Sequence, residues 1–194
     1  MRQINRRERE EIIMKSLLFE KYQKEVAPKL ATEFGIKNKM AIPHIEKVVL
    51  NVGVGEIAKN KESLELAKKD LAEITGQLPS IRPAKVSVAT FGIRIGMPVG
   101  LSVILRGEHM YAFLQRFISI TLPRFRDFRG VPVKSFDAGG NYTLGIEEYS
   151  VFPEIDLGKP HAIKGLEITI VIKAGDKEKS KKLLEYLGMP FEKV

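Results

Sequence analysis

The chain has 194 residues, enough to bury a core of its own, and carries 32 Lys and Arg against 24 Asp and Glu, a formal charge of +8. That balance attracts polyanions, with nucleic acid the commonest partner and an anionic membrane surface second. The absence of cysteine excludes a disulfide, a zinc ribbon and a thiol nucleophile.

No apolar run approaches the roughly 20 residues that a bilayer crossing needs. The N-terminal stretch MRQINRREREEIIMKSLLFEKY lacks the apolar centre of a secretory signal, and Glu8, Glu10 and Glu11 stand where a mitochondrial presequence avoids acids. The expected location is the cytoplasm.

In chain order, Met14, Leu18, Tyr22, Val26, Leu30 and Phe34 recur every fourth residue, predicting an amphipathic helix bent or restarted at Pro28 and stopped by Gly35. EKVVLNV follows as a strand with Val48, Leu50 and Val52 on one face and Val49 and Asn51 on the other. Asn60 caps a helix whose stripe is Leu64, Ala67, Leu71 and Ile74, with Gly76 as its left-handed stop. VGLSVILRG is a strand that sets Leu101, Val103 and Leu105 against Ser102, Ile104 and Arg106.

Met110, Phe113, Leu114, Phe117, Ile118 and Thr121 predict a further helix ended by Pro123. After the Gly-rich DAGGNY come a strand around Leu144 to Tyr149 and a longer one, LEITIVIK. Asp176 then caps a last helix that ends at Gly188. Strands that alternate on one face, with helices between some of them, predict an α+β fold. It is a single domain with a mostly antiparallel sheet of about five strands, helices on one face and the other face free.

Charge is unevenly placed on this scaffold. From Glu73 to Glu108 no acid intervenes, while Arg82, Lys85, Arg94 and Arg106 occur among Gly and small residues, the pattern of a phosphate-facing surface. Between Lys134 and Lys159 the signs reverse: Asp137, Glu147, Glu148, Glu154 and Asp156 occur with no Lys or Arg, as in an acidic turn region or a dock for a basic protein. LPRFRDFRG places Arg124, Arg126 and Arg129 among Phe125 and Phe128. Guanidinium forks clamp phosphate or carboxylate, and one of the rings is expected to anchor the stretch to the core.

Enzyme chemistry finds little support. GVGEIA, from Gly53, matches the loose form of a dinucleotide fingerprint, but its helix begins only at Asn60 and the acid some way on, Glu73, lies inside that helix. A nucleotide-dependent enzyme is therefore the alternative reading. His44, His109 and His161 share no metal-ligand spacing, and the chain has no nucleophile elbow, P-loop or H-E-x-x-H helix. No cofactor or metal is expected.

Six blocks, KVVLNVGVGE, EITGQLP, VILRGEHMYAFLQRFI, LPRFRDFRG, SFDAGGNYTLGIEE and FPEID, in this order and spacing, resemble the bacterial-type large-subunit ribosomal protein family that binds 5S ribosomal RNA. The resemblance runs from about Phe19 to Phe191, as a 5S-binding α+β domain over residues 19–194, and leaves residues 1–18 as an added N-terminal helix. It implies a non-catalytic protein of the central protuberance in the cytoplasmic ribosome. Its implied partners are 5S rRNA, large-subunit rRNA, transfer RNA in the peptidyl site, a small-subunit protein across the subunit interface and neighbouring large-subunit proteins, with no membrane.

By the same resemblance, Asn51 and Gln77 sit at the 5S contact together with Arg106. The loop 82–100 reaches transfer RNA through Arg82, Lys85 and Arg94, and Arg124, Arg126, Arg129 and Asn141 serve the intersubunit bridge, with spacing leaving open which of the three arginines meets RNA and which the bridge partner. The chain departs from the family pattern at Ile104, where a threonine is common, at Val86 and Gly92, where basic residues are frequent, and at Ala138 and Gly139, near the bridge. An amide such as Asn51 both donates and accepts, so it reads base edges and ribose hydroxyls as a lysine does not.

Overall fold

The computed structural model describes residues 17–55, 60–125, 128–147, 151–155 and 165–192. Its contacts gather into two compact units, one of Val48–Leu105 with Thr143–Ile170 and one of Met1–Lys47, Arg106–Tyr142 and Val171–Val194.

The first unit is built on a sheet. Strands β1 (His44–Gly53), β2 (Ser80–Pro83), β3 (Pro98–Leu105), β4 (Tyr142–Ile146) and β5 (Leu166–Lys173) lie in the order β2-β3-β1-β5-β4. β3 runs antiparallel to both β1 and β2. Because side chains alternate across a strand, the period-two pattern sends Val48, Leu50 and Val52 of β1, Leu101, Val103 and Leu105 of β3 and Leu166, Ile168 and Ile170 of β5 into the core.

Helix α3 (Lys61–Thr75) packs on β3 and brings Leu64, Ala67, Leu71 and Ile74 to the same core. Its ends follow the sequence. The Asn60 side chain accepts from the Glu62 amide at 3.0 Å, and Gly76 takes φ +72°. The fold is thus α+β, with a core on one side of the sheet and Asn51, Gly53, Gly145 and Glu167 exposed on strand positions between the buried ones.

The second unit is largely helical: α1 (Leu17–Lys21), α2 (Ala27–Glu33), α4 (Gly107–Arg116) and α5 (Lys177–Leu187). Between α1 and α2 the chain makes one π-helical turn, Tyr22–Val26. The break expected at Pro28 therefore falls earlier, and Pro28 sits harmlessly in the first turn of α2. A strict spacing of four residues drifts by about 40° per step around an α-helix, and one wider turn takes up that drift. Leu18, Val26 and Leu30 are all buried as a result, while Tyr22 is half-buried.

The same adjustment follows α4. The helix expected to run on to Pro123 becomes a π-helical turn at Phe117–Thr121 and then a 3₁₀ turn, Leu122–Arg124. Aromatic rings hold this unit together: Phe19 and Tyr111 lie 5.0 Å apart between centroids, and Phe136, Tyr142 and Phe191 form a mutual cluster at 4.8 to 5.8 Å. Burial pushes the Tyr142 hydroxyl up to about 12, even though a hydrogen bond with Ser135 acts the other way. The strand expected from Leu144 to Tyr149 instead runs from Tyr142 to Ile146 and has ended by Glu147, while Tyr149 lies outside the described residues.

Candidate nucleic-acid interface

Strand register assembles the open face of the sheet. Asn51 pairs with Ser102, which pairs in turn with Ser80, while Gly53 pairs with Gly100 and Gly100 with Arg82. Directly opposed residues project to the same face, so one row reads Asn51, Ser102, Ser80 and the next Gly53, Gly100, Arg82. A Cβ placed on Gly100 would lie 3.7 Å from Arg82 Cβ and 4.0 Å from Asn51 Oδ1, so the glycine leaves a shallow gap between the cation and the amide.

Farther across the face, Thr143 and Thr169 share a hydroxyl contact at 3.2 Å. In the first row Asn51 and Ser80 are exposed while Ser102 between them is buried, so the accessible polar groups are the Asn51 amide and the Ser80 hydroxyl, which can hydrogen-bond a ribose–phosphate backbone. Asn51 is exposed there. At Ile104 the strand offers only an apolar contact, opposite Val49.

Gln77 is exposed immediately past α3, and its position is set by Thr75, a residue that periodicity alone does not single out. The buried Thr75 hydroxyl lies 2.7 Å from the Leu71 carbonyl and 3.0 Å from the Gln77 carbonyl, and it is 3.3 Å from the Gln77 amide, from which it accepts. Arg106 is exposed where the chain leaves β3 and enters α4.

The loop between β2 and β3 is a structured hairpin. Val88 and Ile93 exchange backbone hydrogen bonds at 2.9 and 3.1 Å, Gly92 turns the tip at φ +64°, and the Ser87 hydroxyl accepts from the Ile95 amide at 2.9 Å. Arg82, Lys85 and Arg94 are exposed on it. So is Phe91, at 74%, with Ile95 at 70% and Val86 at 69%. Sequence reasoning passed over Phe91 because a single Phe is more often core. A bare ring on the same hairpin as two guanidinium groups is equipped to stack on a base.

Arg124 and Arg129 are exposed, whereas Arg126 lies outside the described residues. Phe125 and Phe128 are each half-buried and tilted against one another at 6.5 Å, so neither joins the core as expected. The anchor is Val131, which is buried and exchanges backbone hydrogen bonds with the C-terminal segment, its amide to the Pro190 carbonyl and its carbonyl to the Glu192 amide.

Asn141 spends its side chain within the fold. Nδ2 donates to Asp137 Oδ2 at 2.7 Å, and Oδ1 accepts from the Ile172 amide at 3.1 Å. The side-chain and backbone hydrogen bonds from Asn141 hold the Asp137 carboxyl below its usual range. Of the acidic stretch, Glu147 is exposed and Glu154 half-buried, while Glu148 and Asp156 lie outside the described residues. Gly55 is exposed, and the rest of GVGEIA from Glu56 also lies outside them. Among the described residues no three His, Asp or Glu side chains gather as a metal site, and no helix is long and apolar enough to cross a membrane.

Two family models match the chain, that of ribosomal protein L5 over residues 38–94 and that of the C-terminus of the same ribosomal protein family over residues 98–191. The large ribosomal subunit protein uL5 of Dictyoglomus turgidum is 54% identical over 177 residues, which is 91% of this chain and 99% of that protein. The uL5 proteins of Halothermothrix orenii and Prochlorococcus marinus are 52% and 51% identical, covering 91% and 89% of this chain and 98% and 97% of their own. These relatives are ribosomal proteins, which answers the nucleotide-enzyme alternative raised by GVGEIA. With matches along nearly its whole described length, the chain belongs to the ribosomal protein L5 family of the large ribosomal subunit.

Proposed function

We propose that the open sheet face binds 5S rRNA in the central protuberance of the cytoplasmic ribosome, with Asn51, Gln77 and Arg106 as its polar contacts. The observation that carries this reading is the exposed Asn51 and Ser80 at either end of one cross-strand row, with the buried Ser102 between them, beside the glycine gap at Gly100 and the exposed Arg82. Amide and hydroxyl groups satisfy ribose and base edges, and the cation at the edge meets phosphate. The hairpin carrying Arg82, Lys85 and Arg94 reaches peptidyl-site transfer RNA, adding the bare Phe91 ring as a stacking surface. Arg124, Arg126 and Arg129 meet a small-subunit protein across the interface. Asn141 joins that bridge from a loop that its side chain fixes to Asp137 and Ile172.

The test is equilibrium binding of the purified protein to 5S rRNA and to an unrelated duplex of equal length over a range of salt. The expected result is a strong preference for 5S rRNA, with log K falling by about 0.9 or slightly less per phosphate contact for each tenfold rise in salt. Equal affinity for the two RNAs overturns the reading.

A further inference from the structure

The open face is electrically divided. On the β2–β3 side Arg82, Lys85 and Arg94 are exposed and no carboxylate occurs from Ile74 to Gly107. On the β5–β4 side two exposed carboxylates, Glu147 and Glu167, line a cavity of about 530 Å³ together with Asn51, Gly53, Gly145 and Gly165. The glycines keep it open: a Cβ on Gly53 or Gly145 would meet nothing within 4 Å, and neither residue has a positive φ.

Two carboxylates repel phosphate, so an RNA on this face runs its backbone over β2 and β3 and turns bases toward the cavity. A carboxylate accepts hydrogen bonds and does not donate, while the Asn51 amide can donate. A base edge that gives two hydrogen bonds to one carboxylate and takes a third from the amide carries two adjacent donors beside an acceptor. Among the four RNA bases only the Watson–Crick edge of guanine does so, with N1–H and N2–H₂ next to O6. Cytosine and adenine each offer one donor group there, and uracil offers a single N3–H between two acceptors.

We propose that this cavity receives the Watson–Crick edge of an unpaired guanine, with N1–H and N2–H₂ donating to the Glu167 carboxylate and O6 accepting from Asn51 Nδ2. Glu167 is the acceptor because it is fixed on β5, the strand next to that of Asn51, whereas Glu147 lies past the end of β4, one strand farther away. The assignment rests on the RNA reading above and adds the identity of the base.

The experiment compares the whole chain as wild type, Glu167→Gln and Gly145→Leu, checked for equal thermal midpoints, on 5S rRNA and on 5S rRNAs carrying inosine at one unpaired guanosine at a time. Inosine lacks the N2 amino group. Glu167→Gln is expected to weaken 5S binding roughly tenfold, as for loss of charge-assisted hydrogen bonds. Gly145→Leu, which fills the cavity without altering charge, is expected to weaken it comparably. One inosine RNA binds wild type several-fold more weakly and is bound by Glu167→Gln no worse than unmodified RNA.

If Glu167→Gln binds as tightly as wild type or tighter, the carboxylate merely repels phosphate and the guanine assignment falls. It falls equally if no inosine position distinguishes the two proteins. If wild type itself shows no preference for 5S rRNA over the duplex, the RNA reading falls first.

Discussion

Asn51 on β1 stands directly opposite Ser102 on β3, on the face of the sheet that carries no core. Its neighbours along the strand, Leu50 and Val52, point the other way and are fully buried. The amide is thus held by a rigid ladder and left free to meet a ligand, which separates its role in binding from any role in stability. Asn51→Ala is expected to lower specific affinity for 5S rRNA by roughly 1 kcal/mol, about fivefold, with the thermal midpoint unchanged. Parallel binding curves and thermal melts check both halves of this expectation.

Arg82 and Arg94 lie on the acid-free hairpin side and touch phosphate instead of bases in this reading. Replacing either with Ala should weaken binding to any RNA it contacts and reduce the salt slope by about 1, leaving the preference between RNA sequences nearly untouched. A titration in which specificity changes while the slope stays constant contradicts the phosphate role.

Thr75 offers a test of Gln77 that leaves Gln77 itself intact. Its hydroxyl lies between the Leu71 carbonyl and both backbone groups of Gln77, within a buried helix end. Thr75→Val keeps the shape and removes the hydroxyl. The expected stability loss is roughly 1–2 kcal/mol in urea unfolding, accompanied by weaker 5S binding as Gln77 loses its fixed position. Unchanged affinity would place Gln77 outside the contact.

Gly130 has φ +110°, and a Cβ there would sit 2.5 Å from the Glu192 amide nitrogen and 2.7 Å from the Phe191 carbonyl carbon. Both obstacles are backbone and cannot swing aside. Gly130→Ala is expected to cost on the order of 2–4 kcal/mol and to release the pairing of Val131 with the C-terminal segment. Faster amide exchange at Val131 and Glu192 reports that release.

Asp137 supplies a pH dependence with a definite sign. Its carboxyl is lowered in the fold by hydrogen bonds from Asn141, so the stability it contributes is fully present above the unfolded value of about 3.9 and is lost as pH falls through the lower folded value. Asp137→Asn should destabilise at neutral pH, and the gap from wild type should close in strong acid. The group is exposed, so the effect is small after solvent screening. Unfolding midpoints between pH 7 and the acid limit check the convergence.

Local chemistry was legible in the sequence where one segment carries the whole signal. The stripe of α3, its Asn60 cap, its Gly76 stop and the alternation that turns Asn51 away from Val48, Leu50 and Val52 all stand as read, because each depends on residues a few positions apart. The acid-free run from Ile74 to Gly107 marked the cationic edge in the same way.

What only the tertiary structure decided lies between distant segments. The π-helical turns at Tyr22–Val26 and Phe117–Thr121 carry no local signal, because burial against neighbouring elements, and not the propensity of the segment, selects such a rare pitch. Val131 became the anchor in place of Phe125 or Phe128 through its pairing with the distant C-terminal segment at Phe191. The cavity that joins Asn51 to Glu167 exists only once β5 lies beside β1. Spacing along a chain records which way one residue points relative to its near neighbours, while proximity between strands is set by the competition of whole faces for the same core.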